Sequence, residues 1–242
     1  YTLSLHDALP ILKRKIEKVI IYPLIKLSYP LMFQGMISLS TWWVFFGLIE
    51  HMGPENLEIA HNIRYMYFIA FIPIFGFGAA TKTYVSNLVG SNRQDLITKI
   101  QRKIALLSVV SLVVLFHGSF LYPETMIKIV EHNPNVSAHL LDESARALRF
   151  VSGSIIVFSL VIVPFHSVGA LGKTKASFMV EFLSIIIYLV FSVLFIKVWQ
   201  WNIVQIWWVE YIYFICLGLF SSAYLIYYHK NRKRRESSLS NN

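Results

Sequence analysis

Residues 57–93 read LEIAHNIRYMYFIAFIPIFGFGAATKTYVSNLVGSNR, and this stretch decides the fold class. It is apolar over a length that a soluble core helix does not need, whereas about 20 apolar residues cross a bilayer core of about 30 Å. Pro73, Gly76 and Gly78 near its middle predict a broken helix. Its first half carries Asn62, Arg64, Tyr65 and Tyr67, polar groups that lipid rejects. It ends in a Gly-Ser-Asn-Arg turn. An inert lipid anchor has no use for Arg64, so the stretch predicts a working helix of a transporter.

Composition extends this reading to the whole chain. Hydrophobic residues make up 56% and charged residues 14%, and the mean hydropathy is +0.57. Soluble domains are about a quarter charged, so the class is integral membrane protein. The apolar runs have helix length rather than the alternating segments of about ten residues found in barrels. Lipid forces every backbone polar group to find an internal partner, which predicts a helical bundle. The net charge of +9 does not indicate nucleic acid, because the basic residues flank apolar runs instead of forming a patch with interleaved aromatics. The single cysteine, Cys216, lies inside a predicted helix and reads as a packing residue.

Residues 1–11, YTLSLHDALPI, resemble the translation of a common sequencing adapter, and no Met precedes them. They are expected to be non-native and to carry no site. Residues 12–29 read as a cytoplasmic connector with an interfacial helix, followed by a bundle over 30–228. Six transmembrane helices are predicted at about 30–49, 58–89, 104–121, 147–171, 176–198 and 206–228. In the first, Gln34, Ser38 and Thr41 share one face, which is expected to point inward. The fourth combines Ser152, Gly153, Ser154 and Ser159, small residues that permit close packing, with Pro164. The long polar loop before it is expected to carry short surface helices. Residues 229–242 form a basic tail. If that tail is cytoplasmic, sixteen of the 22 Lys and Arg residues lie on the inner side and four on the outer. That bias predicts a C-terminus inside and an even number of spans.

Ionisable groups within the spans carry the functional information, since a charge at mid-helix costs about 2.5–3.5 kcal/mol or more. Glu50, Arg64 and Glu210 are expected at similar depth near the outer surface. They form either an ion pair that ties helices together or a gate on the substrate route. Glu181 lies a short way into the fifth span. It is either a protonation site or an interfacial partner of Lys173, Lys175 or Lys82. Gln34, Ser38, Thr41, Asn62 and Tyr65 are candidates for lining a polar pathway, because buried amides and hydroxyls need partners. No metal-ligand spacing such as HExxH occurs, no GxxxxGK[ST] loop and no GxSxG elbow. An enzyme is therefore not expected, nor a cofactor or a metal. Energy for transport then comes from an ion gradient or another subunit.

Several segments together resemble the multidrug and toxic compound extrusion (MATE) family, in the form typical of Bacteroidetes-type bacteria. They are Pro30, Phe33 and Gln34; Trp42 to Phe46 with Ile49, Glu50 and Gly53; and Ile59, Ala60, Asn62, Ile63, Arg64 and Tyr67. Further on come Ile72, Pro73, Ile74, Gly76 and Phe77, then Val85 to Leu88 with Gly90, the connector 169–174, and Glu181-Phe182. The resemblance implies twelve helices in two six-helix bundles. This chain would be the C-terminal one, with the N-terminal bundle as its missing partner. It also implies multidrug efflux by antiport of H+ or Na+, with small organic, cationic substrates and alternating access in a bacterial cytoplasmic membrane. The fragment alone is expected to be inactive. Sodium-coupled relatives carry acidic residues in the seventh and tenth helices. Here the first position falls near Gln34, and residues 147–171 contain no Asp or Glu, so the coupling ion stays open. The alternatives are a lipid-linked oligosaccharide flippase of the same superfamily and a non-transporting membrane scaffold.

Overall fold

The computed structural model describes residues 18–131 and 136–240. The expected non-native segment 1–11, residues 12–17 of the expected connector, residues 132–135 of the long loop and the last two of the tail lie outside them. The described residues form seven α-helices and no strand. These are α1 (Lys18–Glu50), α2 (Pro54–Gly90), α3 (Ile97–Leu121), α4 (Pro123–Val130), α5 (Ala138–Ala170), α6 (Thr174–Val193) and α7 (Trp208–Ser240). Six segments, all except α4, are long and apolar enough to cross a membrane. The chain is an all-helical, multi-pass membrane protein.

Local chemistry sets the ends of these helices. Pro54 and Pro123 open α2 and α4, where a missing N–H leaves nothing unpaired. Gly53, at φ 107°, supplies a backbone conformation closed to most side chains, so α1 can reverse into α2. Gly172, at φ 72°, does the same between α5 and α6. The Ser137 hydroxyl accepts from the Leu140 N–H at 3.1 Å and caps α5. α6 passes into a π-helical turn, Leu194–Val198, sealed by Trp199 N–H donating to the Leu194 carbonyl at 2.8 Å.

α5 is the axis of the bundle and packs against α2, α3, α4, α6 and α7. Several of its serines spend their hydroxyls on their own helix: Ser152 donates to Leu148 and Ser167 to Val163, each at 2.7 Å. That satisfaction lets them sit fully buried at helix interfaces. Glycines bring the neighbours close. A Cβ on Gly218 of α7 would lie 2.7 Å from a Val161 methyl carbon. The core between these helices is aromatic, with Phe158 stacked on Phe214 at 4.4 Å and Trp207, Tyr67 and Phe45 almost fully buried.

Three expectations change. α2 runs without interruption from Pro54 to Gly90, with Pro73 inside it, so the expected break is absent. Gly78 serves packing instead: an added Cβ would lie 2.9 Å from His166 Cε1 on α5. The connector does not form a separate helix over its described part, because α1 is continuous from Lys18 through Pro23 and Pro30. The fourth span begins well before residue 147, at Ala138, and the long loop carries the short amphipathic helix α4, which buries Pro123, Ile127 and Val130 and exposes Glu124, Thr125, Lys128 and Ile129.

Candidate functional site

α1 meets α6 along its polar face, and α6 meets α7. At the junction stands Glu181 of α6, only 6% exposed. Gln34 Nε2 donates to its Oε2 at 2.5 Å, and Tyr213 of α7 donates to its Oε1 at 3.3 Å. The Ser38 hydroxyl also bonds Oε1. Gln34 and Ser38 sit one helical turn apart, so one face of α1 presents both. The Gln34 Oε1 in turn accepts from Ser177 at 3.4 Å. Three helices therefore converge on one carboxylate.

Ser38 has a further contact that matters for protonation. Its oxygen lies 2.8 Å from the backbone carbonyl of Gln34 as well as against Glu181 Oε1. A hydroxyl carries a single hydrogen. That hydrogen is either shared between the two acceptors in a three-centre bond or, against a protonated Glu181, given to the Gln34 carbonyl while the carboxyl donates to Ser38.

Among the described residues Glu181 makes no ion pair. The expected lysine partners do not bond it: Lys82, Lys173 and Lys175 are exposed, and Lys82 acts on the carboxylate only electrostatically, without a hydrogen bond. Gln34 and Ser38 of α1 and Tyr213 of α7 bond the carboxyl group in place of the expected lysines.

A second carboxylate, Glu210 of α7, is 2% exposed and accepts from the Tyr188 hydroxyl of α6 at 3.1 Å. The two helices thus exchange carboxylate and tyrosine. Glu181 of α6 meets Tyr213 of α7, and Tyr188 of α6 meets Glu210 of α7. The two tyrosine rings touch edge to face at 5.6 Å. Between the rungs lies a cavity of about 50 Å³ lined by Ser38, Thr41, Trp42, Ile185, Tyr188 and Tyr213. Of the pathway candidates, Gln34, Ser38 and Thr41 gather here.

The remaining candidates do not join them. Asn62 is buried but donates to Glu131 Oε2 at 2.8 Å, beyond the end of α4. Tyr65 is half-exposed, with its ring 5.6 Å from the Arg64 guanidinium. The expected cluster of Glu50, Arg64 and Glu210 does not form. Glu50 is exposed at the end of α1, Glu210 faces Tyr188, and Arg64 lies over the Phe46 ring at 5.1 Å. Arg64 meets aromatic faces here, where the charge is stabilised by ring quadrupoles instead of a carboxylate. The sequence reading passed over Tyr188 and Tyr213. Helical spacing was the available signal, since Tyr188 is seven residues from Glu181 and Tyr213 three from Glu210, each on its partner's face.

The fold resembles solved transporters over 84% of this chain, at low sequence identity. A MOP superfamily transporter from Pyrococcus furiosus matches with TM-score 0.70 and 13% identity, over 44% of its own length. A MATE in complex with MaD3S matches with TM-score 0.74 and 13% identity, over 45% of its length. An outward-facing multidrug resistance MATE family transporter matches with TM-score 0.70 and 13% identity, over 44%. The chain thus spans less than half the length of the structures it matches. No curated protein sequence matches it. The MatE family model matches residues 30–194, more than half of the chain. Together with six membrane-crossing helices in the arrangement of the MATE structures, this shows that the chain belongs to the MatE family of transporters.

Proposed function

We propose that the chain is the C-terminal half of a multidrug exporter that moves small organic cations out of the cell by antiport with protons, with Glu181 carrying the coupling proton. One observation carries this reading. Glu181 is buried in α6 with no ion pair among the described residues, and its carboxyl group is held by hydrogen bonds to Gln34 and Ser38 of α1 and Tyr213 of α7. A change in the charge of Glu181 alters the hydrogen bonds by which α1 and α7 hold α6. Protonation is thereby coupled to the contact between α1 and α6. An unpaired carboxylate in a membrane bundle is costly, which fits a group that changes charge during work.

The remaining parts of the reading follow from the family. The second bundle, the alternating access between bundles and the cationic substrates belong to the whole transporter, and the chain alone is inactive. The basic end of the bundle faces the cytoplasm of a bacterial cell. Gln34, Ser38 and Thr41 line the route next to the carboxylate, while Arg64 stands on α2 toward the opposite end.

The test expresses the full-length transporter in an efflux-deficient host. Resistance to a panel of cationic dyes should rise and dye accumulation should fall. Glu181→Gln should abolish both while leaving membrane expression unchanged. A Glu181→Gln variant with undiminished export overturns the assignment of the proton. No change in resistance across the panel, together with rescue of a flippase-deficient strain, overturns the exporter in favour of lipid-linked oligosaccharide transport.

A further inference from the structure

We propose that Glu210 is the second carboxylate of a proton path through this bundle, joined to Glu181 by the hydroxyls of Tyr188 and Tyr213 and by water in the cavity between them. It rests on the reading that Glu181 carries the coupling proton. Glu210 stands in the first turn of α7, nearer the bundle end away from the basic tail, and is 2% exposed. Among the described residues no cation pairs with it. A purely structural carboxylate at such a place is worse than an apolar residue of the same volume, so its presence calls for a use.

The geometry supplies one. The reciprocal Glu181–Tyr213 and Tyr188–Glu210 rungs put an O–H beside each carboxylate. The two phenol rings are in contact at 5.6 Å, and both line the cavity. A space of about 50 Å³ is large enough for water, and its largely apolar wall includes Ser38, Thr41, Tyr188 and Tyr213, whose hydroxyls can bond it. Water bridges hydroxyls that do not touch directly. The other titratable or charged groups facing these carboxylates are few. Tyr67 and Tyr213 interact electrostatically with Glu210, while Lys82 does so with Glu181. None of them blocks the line between the rungs by a hydrogen bond to Glu210 or Glu181 other than the Tyr213 bond already named.

The transfer balances without any oxidant or reductant. An O–H bond breaks on Glu210 and one forms on Glu181. Each tyrosine and each water passes one hydrogen on and receives another, ending as it began. Glu210 is left as a carboxylate, ready to take a proton from its own end of the bundle.

The experiment uses the full-length transporter in liposomes, with ethidium as the transported cation and two readouts. One is ethidium movement driven by an imposed pH gradient. The other is exchange of internal for external ethidium at equal pH on both sides, which needs no net proton movement. Glu210→Gln and Tyr188→Phe should each slow gradient-driven movement at least tenfold and leave exchange within twofold of the unmodified protein. Glu181→Gln should abolish gradient-driven movement. If it does so while Glu210→Gln and Tyr188→Phe run at the unmodified rate, the path is overturned and the role of Glu181 stands. If Glu181→Gln itself runs at the unmodified rate, the underlying reading fails. Loss of both readouts in Glu210→Gln leaves the decision to Tyr188→Phe, which removes one oxygen. There, a selective loss supports the path, and equal loss or none overturns it.

Discussion

The Tyr211 hydroxyl of α7 occupies the space that a Cβ on Gly153 of α5 would need, and it donates to the Phe150 carbonyl at 2.6 Å. Gly153 is thus the socket for a side chain that ties α7 to the central helix. Gly153→Ala should destabilise the bundle by about 1–3 kcal/mol, the usual cost of overpacking a filled site. Thermal unfolding of the purified protein in detergent measures it. Removing the phenol oxygen with Tyr211→Phe in the Gly153→Ala background should recover part of the loss. A double variant no more stable than Gly153→Ala alone would place the strain elsewhere.

Two other glycines should behave oppositely. A Cβ on Gly218 would meet a methyl carbon of Val161 at 2.7 Å, and a β-branched side chain on a helix has little rotamer freedom to move away. Gly76 has no atom within 4 Å of its added Cβ. Gly218→Ala should therefore lower the unfolding temperature, whereas Gly76→Ala should hold or raise it, since helix propensity favours Ala over Gly by up to about 1 kcal/mol. The same ordering should appear in the amount of folded protein recovered from membranes.

Arg64 is held by aromatic rings, with Phe46 at 5.1 Å, and not by Glu50. Glu50→Gln should leave stability unchanged, and the charge exchange Arg64→Glu with Glu50→Arg should not rescue Arg64→Glu. Phe46→Leu should cost on the order of 1 kcal/mol from the lost cation–π contact, in addition to any packing loss. Rescue by the charge exchange would restore the ion pair as the organising contact.

Topology is open to a labelling test. Ser91 lies at the basic end of the bundle and Thr125 on α4 at the opposite end, and both are exposed. In a Cys216→Ala background, a membrane-impermeant maleimide applied to intact cells should label Thr125→Cys and spare Ser91→Cys. The reverse pattern would turn the bundle over and remove the cytoplasmic assignment of its basic end.

Hydropathy and charge were enough to reach the membrane class and the six spans, while the family came from a resemblance in the order and spacing of particular residues. Class and spans depend on the solvent that each segment meets, and a bilayer imposes helix length and charge bias on the local sequence itself. Helical spacing likewise placed Gln34, Ser38 and Thr41 on one face before any partner was known. Side-chain partners were a different matter. Glu181 is bonded to residues 143 and 147 positions earlier in the chain, and only the docking of α1 on α6 brings them together. Arg64, read as a member of an ion pair, found Phe46 because α2 presents it to an aromatic ring. Gly78, read as a break, turned out to make room for His166. Local periodicity says which way a residue points along its own helix, but the rotation and closeness of neighbouring helices decide what it meets. Tertiary packing alone therefore set the reciprocal Glu–Tyr rungs between α6 and α7.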